Sequence, residues 1–66
     1  MTAEEEILAV LRKHHPKDLS IKEIAELSGY SRETVSKYLY GLQKEGKVKL
    51  NRVLGHTKLF IAMKGS

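Results

Sequence analysis

The run Ser20-Ile21-Lys22-Glu23-Ile24-Ala25-Glu26-Leu27-Ser28-Gly29-Tyr30-Ser31-Arg32-Glu33-Thr34-Val35-Ser36-Lys37-Tyr38-Leu39 contains two helix starts separated by one turn. Ser20 and Glu23 have the spacing of a capping box, in which the hydroxyl satisfies a free backbone N–H and the carboxylate reaches back to the cap. Leu19 before that cap and Ile24 after it are spaced as a hydrophobic staple. Ile21, Ile24, Ala25 and Leu27 then give a short helix an apolar stripe. Ser28-Gly29-Tyr30 reads as a turn, because Gly29 is free to take positive φ. Ser31 caps the next helix, with Tyr30 and Val35 again at staple spacing. Val35, Leu39 and Leu42 recur at i, i+4 and i+7, so they face a core, with Tyr38 at the border.

Upstream, Thr2 and Glu5 form another capping-box pattern, and Ile7, Leu8, Val10 and Leu11 fill one side of a helix that Pro16 stops. Downstream, Gly46 suits a helix C-terminus. The apolar period then changes from helical to alternating. Lys47-Val48-Lys49-Leu50-Asn51-Arg52 and Lys58-Leu59-Phe60-Ile61-Ala62-Met63 read as two strands, with Gly55-His56-Thr57 as the bend. Helices are expected at about 3–14, 21–28 and 32–45, and a hairpin at about 47–63, all in one domain spanning 1–66. Lys64-Gly65-Ser66 reads as a frayed tail. The fold class is α+β: a three-helix bundle with a C-terminal β-hairpin.

Composition narrows the function. The chain has 66 residues, 12 Lys and Arg, 8 Asp and Glu, a formal net charge of +4, and no Cys or Trp. A chain this short buries only ~60% of the surface its unfolded form exposes, which leaves little room for an enclosed active site. Without cysteine there is no disulfide framework and no thiolate metal site. His14 and His15 adjoin Pro16 at a helix end and lack further ligands, so they read as C-terminal helix residues. No apolar run approaches the ~18 residues a membrane span needs, and the acidic start Glu4-Glu5-Glu6 is unlike a signal peptide. No nucleophile motif, glycine-rich phosphate loop or carboxylate pair is present, so no enzyme activity, cofactor or metal is expected. The expected location is cytoplasmic and nucleoid-associated, with no small-molecule effector pocket.

The charge is unevenly placed. Residues 1–30 carry a net −2 and residues 31–66 a net +6, so the basic half begins where the third helix begins. Such polarity suits one face for an anionic partner. A short helix, a glycine turn and a longer helix form the helix-turn-helix arrangement, whose second helix can enter the ~12 Å wide major groove. With Val35, Leu39 and Leu42 turned inward, the outward residues include Arg32, Glu33, Ser36, Lys37, Tyr40 and Lys44, with Thr34 near the leading edge.

At these residues the chain resembles a family. The run from Ser20 to Ser31, then Thr34-Val35-Ser36-Lys37-Tyr38-Leu39, Leu42 and Gly46-Lys47-Val48, look like a winged helix-turn-helix of the MarR-like and GntR-like transcriptional regulators, and many archaeal regulators are similar. The resemblance implies double-stranded DNA binding by the 31–44 helix, with the 51–58 hairpin loop on the backbone or minor groove. The candidate contacts are Ser31, Arg32, Thr34, Ser36, Lys37, Tyr40 and Lys44 on the helix. On the wing they are Lys49, Arg52, His56 and Lys58. Arg32 is the leading candidate, since Arg can grip guanine O6 and N7 bidentately, whereas Lys37 and Lys44 suit phosphate. The wing cations have a second reading, as lysines that protect a sheet edge. Regulators of this fold often pair to read two half-sites; in this chain helix 1 or the outer hairpin strand (58–63) would supply a homodimer interface.

A narrower resemblance is to the Z-DNA-binding Zα domain. Tyr40 falls where that family has its base-stacking tyrosine, and Lys37 on a phosphate-contacting position. Ser36 replaces its asparagine, Glu33 a lysine, Phe60 a tryptophan, and Thr57-Lys58 two prolines of the wing. The rival class is a protein-interaction module, which would show an exposed apolar patch in place of a cationic face.

Overall fold

The computed structural model describes residues 2–63; Met1 and the tail Lys64-Gly65-Ser66 lie outside the described residues. Three helices pack around one core and a small antiparallel sheet closes it. Helix α1 is Ala3–His14. Its start is held by reciprocal bonds between Thr2 and Glu5, each backbone N–H donating to the other side chain at 3.2 Å. Glu4, Glu5 and Glu6 occupy the first turn and Arg12, Lys13 and His14 the last, which suits the helix dipole at both ends.

Helix α2 is Ile21–Ser28. The Glu23 N–H donates to the Ser20 hydroxyl at 3.2 Å, and the Ser20 N–H donates to the Glu23 carboxylate at 3.0 Å. Gly29 ends the helix in the left-handed region, φ 83°, where a side chain would be strained. Two residues later Ser31 caps α3, Arg32–Lys44, by accepting the Thr34 N–H at 3.2 Å. The end of α3 carries the bond pair of a Schellman motif: Lys47 N–H to Leu42 C=O at 3.0 Å and Gly46 N–H to Gln43 C=O at 3.1 Å.

The sheet differs from the expected two-stranded hairpin. Strand β1 is Leu19–Ser20, β2 is Val48–Leu54 and β3 is Thr57–Ala62, in the order β1-β3-β2. A two-residue strand has no periodicity to read, which is why β1 is invisible in the sequence. Its presence makes β3 the central strand, with Leu19 paired to Phe60 and Ser20 to Leu59. The strand expected to be the outer one is thus the middle one, and the long exposed edge of the hairpin belongs to β2. The bend also shortens. Leu54 pairs with Thr57, leaving only Gly55-His56 between the strands. Gly55 has φ 62° in the first turn position and His56 has negative φ, the glycine-first pattern of a type II′ hairpin. Val53 and Leu54 are therefore strand residues, not loop.

Ile7, Leu11, Leu19, Ile24, Val35, Leu39, Leu42 and Val48 are fully buried and share one core with Phe60 and Ala62. Leu27 does not join them; it is 52% exposed. At ~100° per residue it lies roughly 110° from the middle of the Ile21, Ile24, Ala25 stripe, beyond the width of the face that α1 and α3 cover. Tyr30 packs on the core's flank and its hydroxyl donates to the Glu6 carboxylate, tying the α2–α3 turn to α1. That bond, with burial and the negative charge of Glu6 adding to it, holds the Tyr30 phenol above its ordinary value.

Candidate nucleic-acid interface

Helix α3 keeps Val35, Leu39 and Leu42 in the core, so its opposite face is exposed by phase. Arg32, Glu33, Ser36 and Lys37 line a groove of about 830 Å³. Its other wall is the wing tip, His56, Thr57 and Lys58, and its floor is the start of α2, Ser20, Ile21 and Lys22. Among the predicted residues the structure thus brings together Arg32, Ser36, Lys37, His56 and Lys58. It adds Lys22, which sequence reasoning missed: the residue is one place inside the capped start of α2, and only the tertiary packing aims that start at α3. The groove holds four permanent cations, Lys22, Arg32, Lys37 and Lys58, and the single carboxylate of Glu33. Helix starts also carry partial positive charge and free N–H groups.

The remaining predicted residues lie elsewhere. Ser31 and Thr34 bond each other: the Ser31 hydroxyl donates to the Thr34 hydroxyl at 2.9 Å and accepts the Thr34 N–H. They shape the helix start and do not line the groove. Tyr40 is 64% exposed, one turn beyond the groove, with the Lys44 ammonium 5.2 Å from its ring centroid. Lys37 similarly stands 5.9 Å from the Tyr38 ring. Lys49 pairs with Ile61 on the sheet face turned away from the helices.

Arg52 is the largest departure. Alternation from Val48 through Leu50 would put it beside Lys58, toward the groove. A β-bulge at Asn51 interrupts that alternation, so Arg52 pairs with Leu59 on the opposite face. There its guanidinium grips Asp18, Nε to Oδ2 at 2.8 Å and Nη2 to Oδ1 at 3.3 Å, while the Asn51 amide donates to Oδ2 at 2.8 Å. The Arg52 and Asn51 bonds hold the Asp18 carboxyl below the usual carboxylate range, outweighing the opposing effect of burial, and Asp18 in turn raises the Arg52 guanidinium.

Among the described residues no three His, Asp or Glu side chains converge to hold a metal ion. Among them, too, no helix is long and apolar enough to cross a membrane.

A capped short helix, a glycine turn, a helix with a basic outer face and a hairpin standing beside it define a winged helix-turn-helix domain. Residues 4–57 match the family model described as HTH domain, and the chain belongs to that family. It is a DNA-binding domain of the type that transcription regulators carry. Two solved structures share the fold. A point mutant of MepR from a multidrug-resistant S. aureus clinical isolate is 19% identical, with a TM-score of 0.80 over 94% of this chain and 46% of its own. The ferric uptake regulator from Francisella tularensis with iron is 18% identical, with a TM-score of 0.79 over 100% of this chain and 54% of its own. The chain thus spans about half the length of each. No curated protein matches it.

Proposed function

We propose that this domain binds B-form double-stranded DNA as the reading element of a transcriptional regulator. Helix α3 lies in the major groove, and the Gly55-His56 tip rests on the flanking backbone or minor groove. The observation that carries this reading is the groove between α3 and the wing, which gathers four cations against one carboxylate. Arg32 and Ser36 meet base edges or phosphates from the first turns of α3, whereas Lys22, Lys37 and Lys58 meet phosphate.

Two features favour this reading over its rivals. Leu27, Tyr40, Leu50, Val53, Leu54 and Met63 are the large exposed apolar residues among those described, and none of them lines the groove. Three of them, Leu50, Val53 and Leu54, lie on β2, so this apolar exposure sits on the sheet edge, and the groove is set apart from it by its cations. Against a Z-form ligand, Tyr40 stands outside the groove, Glu33 stands inside it, and the wing has Thr57-Lys58 in place of a rigid apolar edge.

A titration of labelled protein with random-sequence duplex tests the reading. Chemical shifts should move at residues 20–22, 32–37 and 55–58. Shifts confined to α1 would move the interface elsewhere and favour a protein partner. Two copies reading paired half-sites would show as concentration-dependent mass in sedimentation, with α1 or the β2 edge as the surface; a strict monomer restricts each chain to one half-site.

A further inference from the structure

We infer that Asp18, Asn51 and Arg52 form a latch that holds the wing at its DNA-binding angle, so that Arg52 is a positioning residue and not a phosphate contact. The inference rests on the reading that the wing meets DNA.

The geometry has three parts. First, Asp18 directly precedes β1, Arg52 lies on β2, and β3 runs between them. Their ion pair therefore crosses the middle strand and joins the α1–α2 connection to the far side of the sheet. Second, the crossing lies over the outer face. Arg52 shares that face with its partner Leu59, and Lys49 shares it with Ile61. Leu59 and Ile61 point away from the core cluster, yet they are only 7% and 9% exposed. Third, the contact is built for orientation. Asp18 is itself 8% exposed, and it is gripped by two guanidinium nitrogens and one amide. A fork of this kind fixes direction as well as distance. The β-bulge supplies both donors, because the extra residue turns Arg52 to the outer face and leaves Asn51 beside it.

Without the latch, β2 is attached to the rest of the fold through β3 and its junction with α3. Its distal half, Val53 and Leu54, is held by its ladder to Lys58 and Thr57. The groove wall formed by His56, Thr57 and Lys58 is the end of that hairpin. Freedom at the wing would have to be given up on binding, which weakens affinity without removing any contact.

This role makes a prediction opposite in sign to simple electrostatics. Asp18→Ala raises the net charge by one, so charge alone predicts tighter DNA binding. The latch predicts weaker binding, by about fivefold, of the size expected for one or two groups that must be ordered on association. Arg52→Lys keeps the charge and loses the fork, so it should weaken binding to a similar extent. The slope of log affinity against log salt should stay at the wild-type value in both. In the free variants, the heteronuclear ¹⁵N NOEs of Gly55, His56 and Thr57 should fall while those of α1 and α3 persist. Wild-type or tighter binding by Asp18→Ala would overturn the latch, and so would wild-type binding by Arg52→Lys. If Asp18→Ala does not fold, Arg52→Lys decides alone, since its side chain is largely exposed. Failure of the wild-type protein to bind duplex would refute the DNA reading instead; the wing NOEs of the free variants would still decide whether the latch orders the wing.

Discussion

Replacing Arg32 and Lys37 together with Ala isolates the electrostatics of the groove. Both side chains are exposed and line it, and the core face of α3 at Val35, Leu39 and Leu42 is untouched, so the fold should persist. Four cations and the positive start of α2 surround the space where a phosphate backbone would run. If about five phosphates are neutralised, log affinity falls against log salt with a slope of about −4.5. Between about 50 and 200 mM salt, that slope means a loss of roughly 500-fold. Removing two contacts brings the slope to about −2.7 and the loss over the same interval to roughly 40-fold. Fluorescence anisotropy with a labelled random duplex at several salt concentrations measures both lines. Lys44→Ala serves as the control: it removes a cation from the same helix but outside the groove, and its slope should stay within a few tenths of wild type. A double variant with the wild-type slope would refute the assignment of the groove as the DNA site. So would a Lys44→Ala slope that changed as much as the double variant's.

The remaining predictions concern stability. Leu39→Ala empties a site that is fully buried between the helices and should cost about 2–5 kcal/mol in urea denaturation, whereas Leu27→Ala, on an exposed position, should stay within about 1 kcal/mol. A loss at Leu27 equal to that at Leu39 would mean the helix face is misplaced. The Asp18 carboxyl sits below its ordinary value of 3.8 when folded. Its stabilising effect is therefore complete above that value and is lost as the pH falls from there through the lowered folded value. Asp18→Asn should flatten this acid limb in denaturant midpoints measured against pH, and an unchanged limb would show that other carboxylates carry it. For Tyr30 the sign is reversed. Its phenol lies above the ordinary 10.0, so the stabilisation holds below that value and is lost as the pH rises through the folded one. Tyr30→Phe should flatten the alkaline limb of the same midpoint curve, and an unchanged limb would deny the bond to Glu6 a part in stability.

The helices were legible because their signals are local. Thr2 with Glu5, and Ser20 with Glu23, each carry a complete cap within four residues, and the predicted reciprocal bonds are present. The winged arrangement was legible as a change of apolar period after Gly46. The site was legible only along α3, where one helix face dictates which residues point outward together. Lys22 was not, because its neighbours Arg32 and Lys58 are brought to it by packing and not by spacing. Arg52 reads as a wing cation from its charge alone, and the ladder turns it to the outer face, where it pairs with Asp18. One inserted residue, Asn51, reverses the face of everything after it.

By itself, then, the sequence determined the three helices, their caps, the core stripe and the concentration of positive charge from Ser31 onward, since each depends on residues within a few positions of one another. Only the tertiary structure decided the third strand, the central place of β3, the groove shared by α2, α3 and the wing tip, and the bridge from Asp18 to Arg52. Those features join residues far apart in the chain, and their geometry follows from how the elements pack and where the ladder slips, which no local pattern encodes.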